Sequence, residues 1–222
     1  MKPSSFPFII IVLLIAAAPV LYLAITWSSI PAIVPIHYNL HMQPDKTGPK
    51  SELLMVALLL AGVSFLAYLL LKNIHKIDPK RYATTTPASF GRLGLVVVGF
   101  ISVLNLLIMV SSASQGHTSL RLLQPAIGLL FAFIGNYLPA LKPNYFAGIR
   151  LPWTLNSESN WRQTHQLAGK LWFWGGLVLA VAGIFIPMEA WMPVFITAII
   201  VLTLIPCVYS YRLFKQEKNI QP

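Results

Sequence analysis

Two groups of side chains in this chain have the types and spacing that chemistry requires. His37, His41 and Asp45 stand at i, i+4 and i+8, which would align three metal-ligand types along one face of a helix. Farther on, Ser157, Glu158, Thr164 and His165 bring together a nucleophile, an imidazole base and an acid to orient it. The surroundings of both groups weigh against those uses. Pro35 and Pro44 flank the first and interrupt any helix there, and a divalent-metal site takes three or four convergent ligands. The second has only Glu158 to orient its imidazole, and the chain has no Gly-x-Ser-x-Gly elbow, Walker A loop, His-Glu-x-x-His pair or dinucleotide fingerprint. No enzyme activity, metal or other cofactor is expected.

The elements that must hold these residues follow from composition. Of the 222 residues, 56% are hydrophobic and 10% charged, with a mean hydropathy of +0.70, whereas a soluble domain carries about 25% charged residues. Six apolar stretches, near 6–27, 52–72, 92–113, 119–139, 169–187 and 191–211, are long enough to cross ~30 Å of hydrocarbon. The fold class expected is an all-α integral membrane protein with six transmembrane helices. The first stretch follows Met1-Lys2-Pro3, but its apolar run exceeds the ~7–15 residues of a signal-peptide core and reads as a retained span. The lone Cys207 falls in the last span, where it has no partner for an intramolecular disulfide.

Sidedness follows from where the positive charges fall. With the N-terminus inside, thirteen of the sixteen Lys and Arg lie on one face, and only Lys46, Lys50 and Arg121 lie on the other. Both termini and the 140–170 connector are therefore expected in the cytoplasm, and the 28–51 loop outside. The net charge of +10 then reflects topology and attraction to the lipid bilayer, with the basic residues spread over several short segments, and direct nucleic-acid binding is not expected. No acid falls mid-span; Asn105, Gln124 and Asn136 are the amides at membrane depth, a pattern typical of interhelical hydrogen bonding. Gly169, Gly176 and Gly183 recur every seven residues, and Gly128-x-x-x-Ala132 offers a mating surface for them. Pro19 and Pro206 should kink the first and last spans.

The polar connectors carry the remaining information. Residues 28–51 contain Pro31, Pro35, Pro44, Gly48 and Pro49, which predicts an ordered interfacial loop with His and Tyr side chains at the headgroups. From Gly135 to Trp174, Pro139, Pro143 and Pro152 stop helix propagation, Gly148 permits unusual backbone angles, and Asn144 can bond its own neighbouring backbone. Ser157 suits a helix N-cap with Glu158 in the first turn, and a helix from there would place Trp161, His165, Ala168 and Trp172 on one face. Two readings stand side by side. Trp153, Trp161, Trp172 and Trp174 form an aromatic belt while Arg150, Arg162 and Lys170 snorkel to phosphate, or Arg150, Trp153, Trp161 and His165 form a docking surface for a cytoplasmic protein.

Both connectors resemble known modules. Pro35-Ile36-His37-Tyr38-Asn39, Pro44-Asp45 and Gly48-Pro49-Lys50 resemble the P-x-H-[FY]-N signature of a short module of unknown function at the N-terminus of many bacterial membrane proteins, with Met42, Thr47 and Pro49 departing from it. Gly135-Asn136-Tyr137-Leu138-Pro139, then Pro143-Asn144-Tyr145-Phe146-x-Gly148-Ile149-Arg150-x-Pro152-Trp153-Thr154-Leu155, then Trp161-Arg162-x-Thr164-His165 resemble the hallmark of the SdpI family. The resemblance implies a six-span protein of the bacterial cell membrane, organised as an N-terminal two-helix module over 1–72 and an SdpI-like four-helix region over 73–222. It also implies immunity to a secreted antimicrobial peptide, with a cytoplasmic repressor held at the membrane as a second role. On that reading Asn144, Tyr145, Gly148, Arg150, Pro152, Trp153, Trp161, Arg162 and His165 are candidates for docking the repressor. His37, Tyr38, Asn39, Pro44, Asp45 and Lys50 form the external loop that a peptide toxin would meet. The alternative is a transporter or channel for a small amphiphilic solute.

Overall fold

A chain in lipid must satisfy its backbone internally, and helices do so within one segment. The computed structural model, which describes residues 6–39, 43–77, 87–115 and 120–220, is built on six such helices. They are α1 (Phe6–Thr26), α2 (Ser51–Ile77), α3 (Pro87–Ala113), α4 (Leu123–Tyr137), α6 (Glu158–Phe185) and α7 (Met188–Ile220), with a short α5 (Pro152–Asn156) lying in the connector before α6. All six long helices are extended and apolar enough to cross a membrane, α4 together with the turns at its two ends. The all-α membrane fold thus holds. The last two expected spans are parts of longer helices: α7 has 33 residues and reaches about 50 Å at ~1.5 Å per residue, so it projects well beyond the hydrocarbon.

The loop between α1 and α2 is more regular than its prolines suggest. It forms an antiparallel hairpin of β1 (Ile33–Tyr38) and β2 (Pro44–Pro49), with Ile33 opposite Pro49, Pro35 opposite Thr47 and Tyr38 opposite Pro44. A two-stranded ladder consists entirely of edges, so each proline can turn its donorless nitrogen outward. The Gln115 side chain donates to the Ile33 carbonyl (2.9 Å) and the Tyr38 hydroxyl to Ser111 Oγ (3.0 Å), which ties the hairpin to the end of α3. This end of the molecule is the hairpin face. The opposite end, the connector face, carries the 138–157 segment, the start of α6 and the end of α7.

Helices α1, α2 and α3 pack together, α4 packs on α6, α6 on α7, and α3 joins the two groups through α4. Helix α3 packs on both α1 and α2. The tightest association is that of α4 with α6. A Cβ added at Gly128 would lie 2.3 Å from the Ala180 nitrogen, one at Gly176 2.3 Å from the Ala132 nitrogen, and one at Gly135 2.4 Å from the Phe173 nitrogen. The two backbones touch along the stripes of small residues that the spacing predicts.

Two prolines inside spans would strand a carbonyl four residues earlier, and in both cases another helix supplies the donor. Pro19 leaves the Ile15 carbonyl free, and the Ser102 hydroxyl from α3 donates to it. Pro206 leaves Leu202 free, and the Trp172 indole N–H from α6 donates to that carbonyl at 3.0 Å. Asn105 likewise bonds across helices, to the Ala57 carbonyl at 3.1 Å.

Gly176→Leu should lower the stability of the purified protein in detergent by about 1–3 kcal/mol, read as a fall in midpoint temperature, because the backbones of α4 and α6 must separate. Gly62→Leu is the matched control, since a Cβ there meets nothing within 4 Å. Its midpoint should stay close to that of the parent.

Candidate functional site

After α4 the chain turns through Leu138–Ala140 and enters the motif-rich connector. Asn144 organises this turn and is fully buried. Its Nδ2 donates to the carbonyls of Lys142 (2.8 Å) and Ala147 (3.1 Å), while its Oδ1 accepts from the N–H groups of Phe146 (2.9 Å) and Ala147 (2.7 Å). Both amide hydrogens and both oxygen lone pairs are used, which only Asn at this length can do. The Arg150 guanidinium closes the same loop from outside by donating to the Tyr145 carbonyl.

Beneath the loop, the first turns of α6 present Trp161 and His165, one turn apart and stacked with ring centroids 4.0 Å apart. The Trp161 indole N–H donates to the Leu141 carbonyl at 2.8 Å. His165 Nε2 accepts the Ile149 N–H at 3.0 Å and Nδ1 lies 2.8 Å from the Trp161 carbonyl, so the ring proton sits on Nδ1 and the imidazole is neutral. Gly148, at φ +110°, brings the backbone over this pair; a Cβ there would stand 2.3 Å from His165 Nε2.

The connector's second half fastens α6 to α7. Pro152 opens α5, and the Thr154 hydroxyl accepts from the Leu151 N–H (2.9 Å) while donating to the Ile149 carbonyl (2.8 Å). Ser157 caps α6 by accepting from the Asn160 N–H (3.1 Å), with Glu158 in the first turn, and its hydroxyl donates to Glu217 on α7 (3.0 Å). Buried Ser210 on α7 receives two further ties: the Trp153 indole N–H reaches its hydroxyl oxygen (2.9 Å) and the Asn160 amide reaches its carbonyl (2.9 Å). The Trp153 ring also stacks on Phe214 at 5.7 Å.

These placements resolve the expected site into two layers. Asn144, Trp161 and His165 are buried and hold the connector's shape, so a partner cannot reach them on the folded surface. Trp161 and Trp172 are turned inward to backbone carbonyls and Trp153 to Ser210, which takes three of the four indoles out of a simple belt, while Trp174 faces outward. Tyr145, Arg150, Pro152 and Arg162 are exposed, with Phe146 beside them. Thr154, Asn160 and Ser210 belong to the same network and were not among the expected residues; each is a small polar side chain, uninformative alone until its tertiary partner is known. Ser157, Thr164 and His165 all spend their polar atoms on structural bonds, Thr164 by donating to Asn160 Oδ1 (3.1 Å).

On the hairpin face, His37 Nδ1 lies 2.6 Å from Asp45 Oδ1 across the two strands, both side chains exposed. His41 lies outside the described residues, and among the described residues no three His, Cys, Asp or Glu side chains gather. Asn39 Oδ1 accepts the Gln43 N–H (3.0 Å), and Pro44 begins β2. Lys50 is an internal hook: its ammonium donates to the carbonyls of Trp27 (2.8 Å) and Ile30 (3.1 Å) and sits 4.7 Å from the Trp27 ring centre.

Gly148→Ala should loosen the connector, with faster limited proteolysis between residues 142 and 151 and a stability loss of about 1–3 kcal/mol from strain and overlap. Adding His165→Ala removes the overlap but not the strain. The double variant should therefore lose less than the two single losses added together.

With this geometry in hand, comparison with known proteins gives two matches along the chain. Residues 14–61 match a domain of unknown function, DUF1648, and residues 140–210 match the SdpI/YfhL protein family. The immunity protein SdpI of Bacillus subtilis (strain 168) is 27% identical over 90 residues, which are 40% of this chain and 43% of that protein, so the match spans less than half of the relative's length. No solved structure matches the chain. The family match covers the bonded unit of connector, α6 and most of α7, so over that segment this multi-pass protein of the bacterial cell membrane is similar to the SdpI/YfhL family.

Proposed function

We propose that this chain is an immunity protein that protects its cell against a secreted antimicrobial peptide and that it also holds a cytoplasmic repressor at the membrane. The observation that carries the reading is the family match over residues 140–210, the segment whose motif side chains lock connector, α6 and α7 together, joined to the likeness to a protein named for immunity. The charge distribution supports the orientation: the hairpin face holds Lys46, Lys50 and Arg121, and the connector face holds the larger share of basic residues. The hairpin then faces outward, where the peptide arrives, offering His37, Asp45, Lys46 and Thr47 on its exposed surface. The connector faces the cytoplasm, where Tyr145, Arg150, Pro152 and Arg162 are the side chains a repressor would touch.

A second reading, transport of a small amphiphilic solute, draws on one specific feature. The side-chain oxygens of buried Asn105 and Gln124 have no hydrogen-bond partner among the described residues. Solute flux in proteoliposomes that disappears on Asn105→Ala or Gln124→Ala would favour it.

Expression in a toxin-sensitive host should raise survival in the presence of the peptide, and Gly148→Val should reduce that survival at equal membrane abundance. Unchanged survival with correctly inserted protein would sink the immunity reading. Orientation is tested separately in a Cys207→Ala background. Lys46→Cys should react in whole cells with a membrane-impermeant maleimide, while Tyr145→Cys should react only after the cells are opened.

A further inference from the structure

Between the end of α4 and the start of α6 the connector face contains a recess of about 390 Å³, within the ~300–1,000 Å³ of small-molecule sites. One wall is apolar, formed by the exposed Pro139 and Ala140. The rim carries Lys142, Ser159 and Arg162 together with one acid, Glu158. Lys142 and Arg162 are exposed, and neither has a carboxylate within ion-pair distance among the described residues, where the His37–Asp45 contact is the ion pair found. Ser159 Oγ accepts from the Gln163 amide at 3.1 Å, which leaves its own proton free to donate.

Depth identifies the ligand class. Helix α6 has 28 residues and the hydrocarbon takes roughly 20 of them, so with Phe185 at the far end its first two turns stand at headgroup level. The α4 segment, Leu120–Ala140, is 21 residues long and delivers Pro139 and Lys142 to the same level. A basic pocket between two spans at this depth meets phospholipid phosphate before any other anion.

We propose that this recess binds the phosphodiester of an anionic phospholipid, with Arg162 and Lys142 on the phosphate oxygens, the Ser159 hydroxyl donating to one of them, and the glycerol backbone against Pro139 and Ala140. Arg162 supplies a planar fork suited to phosphate and Lys142 a mobile point charge. Glu158 opposes the phosphate and sets a limit on affinity. Zwitterionic lipid carries the same phosphate but adds a cation that Lys142 and Arg162 repel.

The test is native mass spectrometry of the purified full chain with dioleoyl phosphatidylglycerol, dioleoyl phosphatidylcholine or inorganic phosphate. The phosphatidylglycerol adduct should form at lower concentration than the phosphatidylcholine adduct, and Arg162→Gln or Lys142→Gln should each weaken it about tenfold, the loss of one charge-assisted contact. Glu158→Gln should tighten it. Lys170→Gln removes an equal charge from the same helix outside the recess, and its adduct should match the parent's. Equal losses in Lys170→Gln and Arg162→Gln would reduce the effect to diffuse charge and overturn the site. Displacement of the lipid by inorganic phosphate would assign the recess to a free anion instead, and equal binding of phosphatidylcholine would remove the charge selectivity on which the proposal stands.

Discussion

The backbone contact between α4 and α6 is the constraint on which the rest of the connector face depends. Gly128, Gly135, Gly169 and Gly176 leave no room for a side chain between the two helices, so their relative translation and rotation are fixed by main-chain atoms, which have no rotamers to exchange. Lipid supplies no hydrophobic drive for helix association, and close van der Waals approach is what replaces it. The consequence appears beyond the bilayer. With the end of α4 and the beginning of α6 fixed, the carbonyl of Leu141 falls where the Trp161 indole can reach it, and Ile149 falls where His165 can accept its N–H. The loop's shape is therefore inherited from a contact made inside the membrane.

A second constraint, the need to satisfy every backbone group in lipid, explains which side chains tie the helices together. Pro19 and Pro206 each free a carbonyl, and each carbonyl is found by a donor from a different helix, Ser102 and Trp172. A proline is tolerated in a span on such terms. The arrangement also makes the tie specific, because each of these prolines offers its free carbonyl at a fixed depth on its helix. Trp172 thus registers α7 against α6 inside the bilayer, while Trp153 and Asn160 register it again at Ser210 nearer the connector.

Much of this was legible in the sequence where one element suffices to decide the outcome. Twenty apolar residues in a row have few alternatives to a spanning helix, small residues seven apart have few uses but close packing, and Ser157 before Glu158 marks a helix start. The hairpin was not legible in the same way, since Pro35, Pro44 and Pro49 argue against strands in general and are harmless only in a ladder with no central strand. Nor were the roles of the tryptophans. An indole beside a membrane has a sound default at the interface, and only tertiary structure shows that Trp161 and Trp172 point their N–H groups at carbonyls on other elements. Lys50 is the same lesson on the other face: a lysine in an exposed loop reads as solvated, yet the Trp27 and Ile30 carbonyls in the turn after α1 hold its ammonium.

The division between buried and exposed motif residues bears on what family likeness can convey. Asn144, Trp161, His165 and Thr154 spend their polar atoms on the connector itself, and Gly148 is required by a backbone angle and a close approach. A sequence that keeps these residues keeps a shape. Tyr145, Phe146, Arg150 and Arg162 are instead the exposed side chains of the same segment. Arg150 shows both demands in one residue, since its guanidinium bonds the loop at Tyr145 while remaining exposed. Two chains with the same framework can therefore present different surfaces between the structural positions of the motif.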